Sequence, residues 1–314
     1  MPIKKSVFME PIVISGSNGF LASHLSQFFI KNHTKTYGIY RGSSQISGVE
    51  KIHDDILSIE NMPDDVSTIL HFAALTDIEY CEKNPNECFE INVNGTKNML
   101  DLARKNDSKF VFASSSHVYG KPDSLPIDEN FPLNPISIHA KSKVEAELLC
   151  EDFAKLYGLK IIILRTFSIY GPRSPLYSII YRIINQILNN HKMILGNLQT
   201  KRDFLYISDF LSAIDFLLKI NLSGCQKFNI GYGESFSIED LCNKLFKISQ
   251  KKLPLESDLT LIRNNDIEEL VCNNFKLKQF GWIPKLSIDE GLKQTFQWFK
   301  SKHKSNSKSF LNNS

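Results

Sequence analysis

Pro11-Ile12-Val13-Ile14-Ser15-Gly16-Ser17-Asn18-Gly19-Phe20-Leu21-Ala22-Ser23-His24-Leu25 is the stretch on which the fold turns. Ile12-Val13-Ile14 is a short unbroken apolar run, as in strands covered on both faces. From Phe20 the pattern predicts an apolar helix to about Ile30. Gly16 and Gly19, with the small Ala22, let the chain reverse tightly. They also bring backbone N–H groups at a helix N-terminus up to a pyrophosphate. Such a glycine pattern also occurs in plain turns. Its place between the first strand and the first helix favours dinucleotide binding.

Working outward, a second strand runs from Thr36 to Tyr40 and ends in Arg41-Gly42-Ser43-Ser44. An acid normally stands there to meet a ribose 2′-hydroxyl. Arg41 with two hydroxyls behind it suits a 2′-phosphate instead, a solvated arginine being the plainer alternative. Asp55, after the next strand, is placed to meet the adenine edge. A fourth strand, Ile69 to Phe72, ends in Ala73-Ala74, small residues against which a cofactor can lie; His71 in it reads as structural. A long helix from about Pro85 to Lys105 carries Asn92, Gly95 and Thr96 in its middle.

The strand Phe110-Val111-Phe112-Ala113 then releases into Ser114, Ser115 and Ser116, followed by His117, Val118, Tyr119 and Gly120. Past a proline-punctuated loop, a helix from near Ser137 to about Tyr157 carries His139 and Lys143 one turn apart. A hydroxyl at a strand end, facing a titratable pair at i and i+4, is an arrangement for moving a proton beside a bound reactant. A serine-rich turn before an ordinary helix is the bland alternative. A sixth strand, Lys160 to Arg165, leads to Thr166-Phe167-Ser168-Ile169-Tyr170-Gly171-Pro172-Arg173.

Strands alternating with helices predict an α/β fold, a Rossmann-type doubly wound parallel sheet with a smaller mixed α/β substrate-binding lobe. The expected division is a dinucleotide-binding domain over 1–166, with segments near 204–232 returning to it, and a lobe over 167–300. Residues 301–314 are polar and read as a disordered tail.

At 314 residues, 42% apolar and 23% charged, the chain has the composition of a soluble globular enzyme. The formal charge of +3 is small and its basic excess gathers near the C-terminus, which argues against nucleic-acid binding. The 6 cysteines show no metal-ligand spacing and read as reduced thiols of a cytoplasmic protein. The first residues lack a signal-peptide core, and no apolar run is long enough for a bilayer.

Several ordered motifs together carry a resemblance. They are Gly16-x-x-Gly19-x-x-Ala22, His71-x-Ala73-Ala74, Asn92-x-x-Gly95-Thr96, Ser114-Ser115 before Tyr119-Gly120, and Tyr170-Gly171-Pro172-Arg173. Arg202-Asp203-Phe204, Asn229-Ile230-Gly231 and Arg263-x-x-Asp266 continue the series. From Gly16 to about Phe299 the chain resembles the extended short-chain dehydrogenase/reductases that act on nucleotide sugars. Gly38 to Ser44, and Gly196-Asn197-Leu198 before Arg202-Asp203, look most like GDP-mannose dehydratases and GDP-4-keto-6-deoxymannose reductases, which use NADP(H).

Carried over residue by residue, the resemblance places the cofactor on Gly16, Asn18, Gly19, Phe20, Leu21, Arg41, Ser43, Ser44, Asp55, Ile56, Phe72, Ala73, Ala74 and Lys143. It places substrate on Ser116, Ser168, Arg202 and Arg263, the two arginines clasping a pyrophosphate. The family's triad is Ser or Thr, Tyr and Lys. Ser115 and Lys143 match, while His139 stands at the tyrosine position.

Three readings of that change stay open: His139 replaces the tyrosine, Ser115 with water carries the proton, or the chain is catalytically silent. His117 stands where dehydratases of the family carry a glutamate and GDP-fucose synthases a cysteine. It reads either as an auxiliary acid or base or as a polar lining residue. The implied activity is an NADP(H)-dependent 4-keto reduction of a GDP-, dTDP-, CDP- or UDP-linked sugar for cell-surface polysaccharide biosynthesis. NAD(H) is the alternative cofactor, a 4-epimerase the alternative enzyme, and a non-catalytic nucleotide-sugar-binding homologue the alternative class. A homodimer is expected, formed by the helices near 86–105 and 137–157, with Phe89, Val93, Leu100, Ala146, Leu149 and Phe153 as seam or core.

Overall fold

Ile12, Val13 and Ile14 are completely buried, so the first strand lies inside a sheet covered on both faces. The computed structural model describes residues 10–42, 46–261 and 267–311. In chain order the elements begin with β1 (Ile12–Ser15), α1 (Phe20–Lys31), β2 (Thr36–Ile39), β3 (Val49–His53) and β4 (Thr68–His71). Next are α2 (Ile78–Lys83), α3 (Pro85–Phe89), a π-helical turn (Glu90–Asn94) and α4 (Gly95–Lys105). They continue with β5 (Lys109–Ser115), a 3₁₀ turn (Ser116–Tyr119), α5 (Ile138–Tyr157), β6 (Ile161–Thr166) and β7 (Ser168–Tyr170). There follow α6 (Ile179–Asn189), β8 (Met193–Leu195), β9 (Lys201–Tyr206), α7 (Ile207–Lys219) and β10 (Cys225–Ile230). The last are β11 (Ser235–Ser237), α8 (Ile238–Ser249), β12 (Leu255–Ser257), β13 (Glu269–Leu270), α9 (Phe275–Phe280) and α10 (Ile288–Leu311).

The main sheet has 7 strands in the order β10-β6-β5-β4-β1-β2-β3, and the pairings from β6 to β3 are parallel. This is the doubly wound Rossmann-type sheet that strand–helix alternation predicts. β1 pairs β2 on one side and β4 on the other, so strand order reverses there. Such a reversal opens a crevice at the carboxyl ends of the strands. Phe110, Phe112, Ile161 and Ile163 share one core with Leu100, Ala146 and Phe153. Leu100, Ala146 and Phe153 therefore belong to the core rather than to an exposed seam, and Leu149 is partly buried against it. Phe89 and Val93 are half-buried.

The chain divides into two units. The first comprises Met1–Gly120, Phe131–Thr166 and Leu217–Phe228. The second comprises Lys121–Asn130, Phe167–Phe216 and Asn229–Ser314. In the second unit β9 pairs β11 antiparallel and both β7 and β13 parallel, a small mixed sheet; β8 and β12 form a separate parallel pair. Ile180, Ile183, Ile184 and Ile187 form the buried stripe of α6. α10 packs on α8 and is anchored by buried Ile288, Leu292 and Phe296. It stays helical to Leu311, through the stretch whose polarity suggested a loose tail. Once nucleated by its anchored turns, a helix adds residues at small cost. No described helix is long and apolar enough to cross a membrane.

Candidate active site

Gly16 has φ +66°, and a Cβ built there would stand 2.9 Å from the Ala73 backbone. Glycine is needed because the turn after β1 packs directly on the loop after β4. Gly16 N–H donates to the Ile39 carbonyl at 2.7 Å, and Gly19 N–H to the Gly16 carbonyl at 2.8 Å, closing the turn. α1 then starts with no side-chain cap and no acid in its first turn. Its leading N–H groups and dipole are thus left to an anion. Ser15 Oγ accepts from the N–H groups of Phe72 and Ala73 and meets His71 Nδ1 at 2.7 Å. With both lone pairs used, the Ser15 hydroxyl donates to His71. His71 Nε2 then donates to Thr96 Oγ1 at 3.0 Å, whose hydroxyl goes on to the Asn92 carbonyl. Burial and the Lys143 charge push the His71 pKa down to about 3, so it is a neutral strut, as its sequence position suggests.

Gly16, Asn18, Gly19, Arg41, Asp55, Ile56, Phe72, Ala73 and Ala74 line one cleft, with Ile39, Tyr40, Asp54, Leu75 and Ile91. Phe20 and Leu21 are the first residues of α1 and are not among the residues lining the cleft. Ser43 and Ser44 lie outside the described residues. The cleft adds a contact between two residues expected there. Arg41 and Asp55, read as separate contacts for a 2′-phosphate and an adenine, pair with each other at 2.7 Å. Burial pushes the Asp55 carboxyl up, but the Leu57 N–H and Arg41 outweigh it and hold the group below its ordinary range. Asn18 Nδ2 donates to the Arg41 carbonyl at 3.0 Å and fixes that backbone. A close-approach glycine turn, an uncapped helix start and small cleft residues fit a dinucleotide.

β5 ends at Ser115, whose Oγ accepts from the His117 N–H at 3.2 Å and opens the 3₁₀ turn. Ser116 is buried at the start of that turn. Ser137 caps α5 through the Ala140 N–H at 3.1 Å, which sets the phase of the helix. His139 and Lys143 then share its inner face, 5% and 4% exposed. Lys143 Nζ donates to the Ala113 carbonyl at 2.8 Å and stands 4.9 Å from the Phe112 ring centroid. Burial lowers the Lys143 pKa to about 8, against the raising influence of Cys88, Cys150 and Glu147.

Neither ring nitrogen of His139 has a hydrogen-bond partner among the described residues. The His117 ring lies edge-on at 6.5 Å between centroids. Burial, then Lys143, then His117 lower the His139 pKa to about 3. A sequence argument from the i, i+4 lysine gives the right direction, but burial is the larger cause.

Two supports were not legible beforehand. The π-helical turn projects Asn92, which accepts the Leu75 N–H at 2.7 Å and donates to the Leu75 carbonyl at 3.0 Å and to Ser142 Oγ at 2.9 Å. It thereby clips the cleft wall to α5, a use of a helix irregularity common at functional sites. Arg165 on β6 forks onto Glu147 of α5, with Nη2 2.7 Å from Oε2, and reaches the Tyr119 hydroxyl at 3.0 Å. Ser114 Oγ donates to Glu147 Oε1 at 2.5 Å. A charged residue ending the buried run Ile161–Leu164, and an acid two turns from His139, were the only sequence signals.

Ser115, His117, His139 and Lys143 are brought together in the first unit. Ser168 and Arg202 belong to the second, Ser168 beside Phe204 in the β7–β9 pairing and Arg202 donating to the Lys201 carbonyl at 2.8 Å. Arg263 lies outside the described residues. Asp203 accepts the N–H groups of Tyr232, Gly233 and Cys272, which makes the acid of the Arg202-Asp203-Phe204 motif a loop anchor.

A parallel doubly wound sheet, a glycine turn at the strand-order reversal and a buried His–Lys pair on α5 fit a dinucleotide-binding enzyme fold. The chain belongs to the NAD dependent epimerase/dehydratase family, whose pattern it matches over residues 12–231. A Methanocaldococcus jannaschii protein with a provisional UDP-glucose 4-epimerase name is 30% identical, over 93% of this chain and 99% of its own. The Bacillus cytotoxicus UDP-N-acetyl-alpha-D-glucosaminuronate decarboxylase is 30% identical, over 92% of this chain and 97% of its own. The crystal structure of Bacillus cereus UDP-glucuronic acid 4-epimerase with UDP-glucuronic acid and NAD superposes with a TM-score of 0.84. It is 26% identical and covers 93% of this chain and 99% of its own.

Proposed function

We propose that this protein is a nucleotide-sugar oxidoreductase that moves hydride at a ring hydroxyl or keto carbon, with His139 exchanging the accompanying proton. The observation that carries the reading is the His139 ring, 5% exposed with both nitrogens unpartnered among the described residues, one helical turn from the buried Lys143. A buried neutral imidazole offers one lone pair and one N–H, the complement of a sugar hydroxyl. Family membership and the nucleotide sugars named for the relatives support that substrate class.

The nicotinamide ring, when bound, supplies the hydride acceptor and donor. Gly16, Gly19 and the start of α1 would hold the pyrophosphate of the dinucleotide, and Ala73 and Ala74 would let it lie against the backbone. Lys143 would present a buried ammonium to its ribose from the same helical face as His139. Ser115 donates to the sugar oxygen as negative charge develops there. His139 takes the hydroxyl proton during oxidation and returns it during reduction.

The cofactor reading is NAD(H) rather than the NADP(H) expected from Arg41, because Asp55 already occupies that guanidinium. With NAD(H), a 4-epimerisation of a UDP-sugar is the leading reaction. Reduction of a 4-keto GDP-sugar is the second reading, favoured by Arg41 at the end of β2. A homodimer is proposed through α5, where Leu148, Leu156 and Tyr157 are 47%, 69% and 53% exposed.

The test is single-turnover hydride transfer with NAD⁺ and UDP-glucose, UDP-glucuronic acid or GDP-mannose, followed by nicotinamide absorbance. His139→Ala should slow transfer by about 10²- to 10⁴-fold, the usual worth of a general acid–base group, with little change in NAD affinity. Full activity in His139→Ala would move the proton to Ser115 or solvent. Tight binding of both ligands with no transfer by the unmodified protein would leave a non-catalytic binding protein.

A further inference from the structure

We infer that His117 is the group through which protons pass between His139 and solvent. This rests on the reading above, in which His139 exchanges the substrate proton. The site of uptake is closed on itself: His139 is 5% exposed and neither nitrogen has a partner among the described residues. A proton delivered there is held only transiently, because a buried imidazolium one turn from an ammonium is costly.

The neighbours differ in what they can accept. Lys143 is a donor without a lone pair when charged, and its Nζ already points at the Ala113 carbonyl. Ser115 is uncharged, and its Oγ is engaged by the His117 N–H, so it can pass a proton on but not keep one. His117 is an imidazole, with one nitrogen able to take a proton and the other able to release one. Its ring stands edge-on to His139 at 6.5 Å between centroids, so transfer between the two rings needs one bridging water. It is half-buried where His139 is buried, so it lies on the solvent side of the pair. The Ser115 hydroxyl and the 3₁₀ turn fix its backbone. Lys143 from α5 and His117 from the 3₁₀ turn are the charged or titratable groups acting on His139.

The step balances. Oxidation of a ring hydroxyl sends a hydride from carbon to an oxidised nicotinamide dinucleotide and a proton from oxygen to one nitrogen of His139. The proton on the other His139 nitrogen passes to His117, and the second N–H of His117 gives one to water. Each ring ends neutral in its other tautomer, and one proton appears in solution for each hydride moved. Reduction runs the same path inward.

The experiment records hydride transfer and proton release together, by nicotinamide absorbance and a pH indicator in weak buffer. It uses the full chain with NAD⁺ and the same three nucleotide sugars. In the unmodified protein both signals rise together. In His117→Ala and His117→Phe, proton release should lag reduced nicotinamide by roughly ten- to a hundredfold, within the range proton-transfer groups contribute. Added imidazole should close the gap in His117→Ala but not in His117→Phe, whose ring fills the space; a merely structural role moves neither. Circular dichroism and NAD titration confirm that both variants fold. Synchronous signals in both variants overturn the proton path alone. Absence of hydride transfer in the unmodified protein with all three sugars overturns the functional reading and the path with it.

Discussion

Removing one partner of the buried Arg165–Glu147 pair should destabilise the protein strongly, and removing both should cost far less than the sum. Both side chains are 1% exposed. Arg165 Nε lies 3.1 Å from each Glu147 carboxylate oxygen and Nη2 lies 2.7 Å from one, while Nη1 donates to the Tyr119 hydroxyl. Burial opposes the Arg165 charge, but Glu147 outweighs it and holds the guanidinium protonated above its ordinary value. Glu147→Leu leaves that cation uncompensated and strips Ser114 of its acceptor; Arg165→Met leaves the carboxylate alone. Each single change should cost about 3–5 kcal/mol, so independent effects would sum to roughly 6–10 kcal/mol. The double variant removes both charges and should fall short of that sum by about 3 kcal/mol or more. Urea titrations of the four proteins by circular dichroism provide the cycle, with equal slopes required before midpoints are compared. A double variant costing the full sum would refute the pairing argument, since uncoupled residues add.

Three further outcomes follow from the site. His139 titrates near 3 when folded against 6.5 ordinarily, so its neutral form stabilises the fold above 6.5, and that contribution is lost as pH falls from 6.5 toward 3. At pH 5 the loss is about 2 kcal/mol, and the fall in the unfolding midpoint with acid should be shallower in His139→Phe; parallel curves would exclude the burial argument. Asp55→Asn releases Arg41 and should raise NADP affinity relative to NAD by roughly two- to fivefold, the worth of a surface ion pair, as read by fluorescence titration; an unchanged ratio would show that Arg41 does not reach the ribose. Sedimentation should show a dimer at micromolar concentration, weakened by Leu156→Lys, and a monomer throughout would contradict the α5 interface.

Much of this protein is settled by short-range sequence. Ile12-Val13-Ile14, Gly16 and Gly19 determine a buried strand, a tight turn and an uncapped helix start within a few residues, because backbone conformation and burial pattern are local properties. The same holds for the Ser137 cap and for His139 and Lys143 one turn apart, which follow from helical period alone. Tertiary structure decided what those residues experience. The Arg41–Asp55 pair joins the end of β2 to the segment after β3, a contact on which the proposed cofactor reading rests. Glu147 meets Arg165 across 18 residues, and Asn92 meets Ser142 across 50. No periodicity encodes such encounters, since they depend on how helices land on the sheet. The His139 pKa shows the division: the lysine one turn away predicts its direction, but its depth comes from desolvation by a core that assembles only when the chain folds.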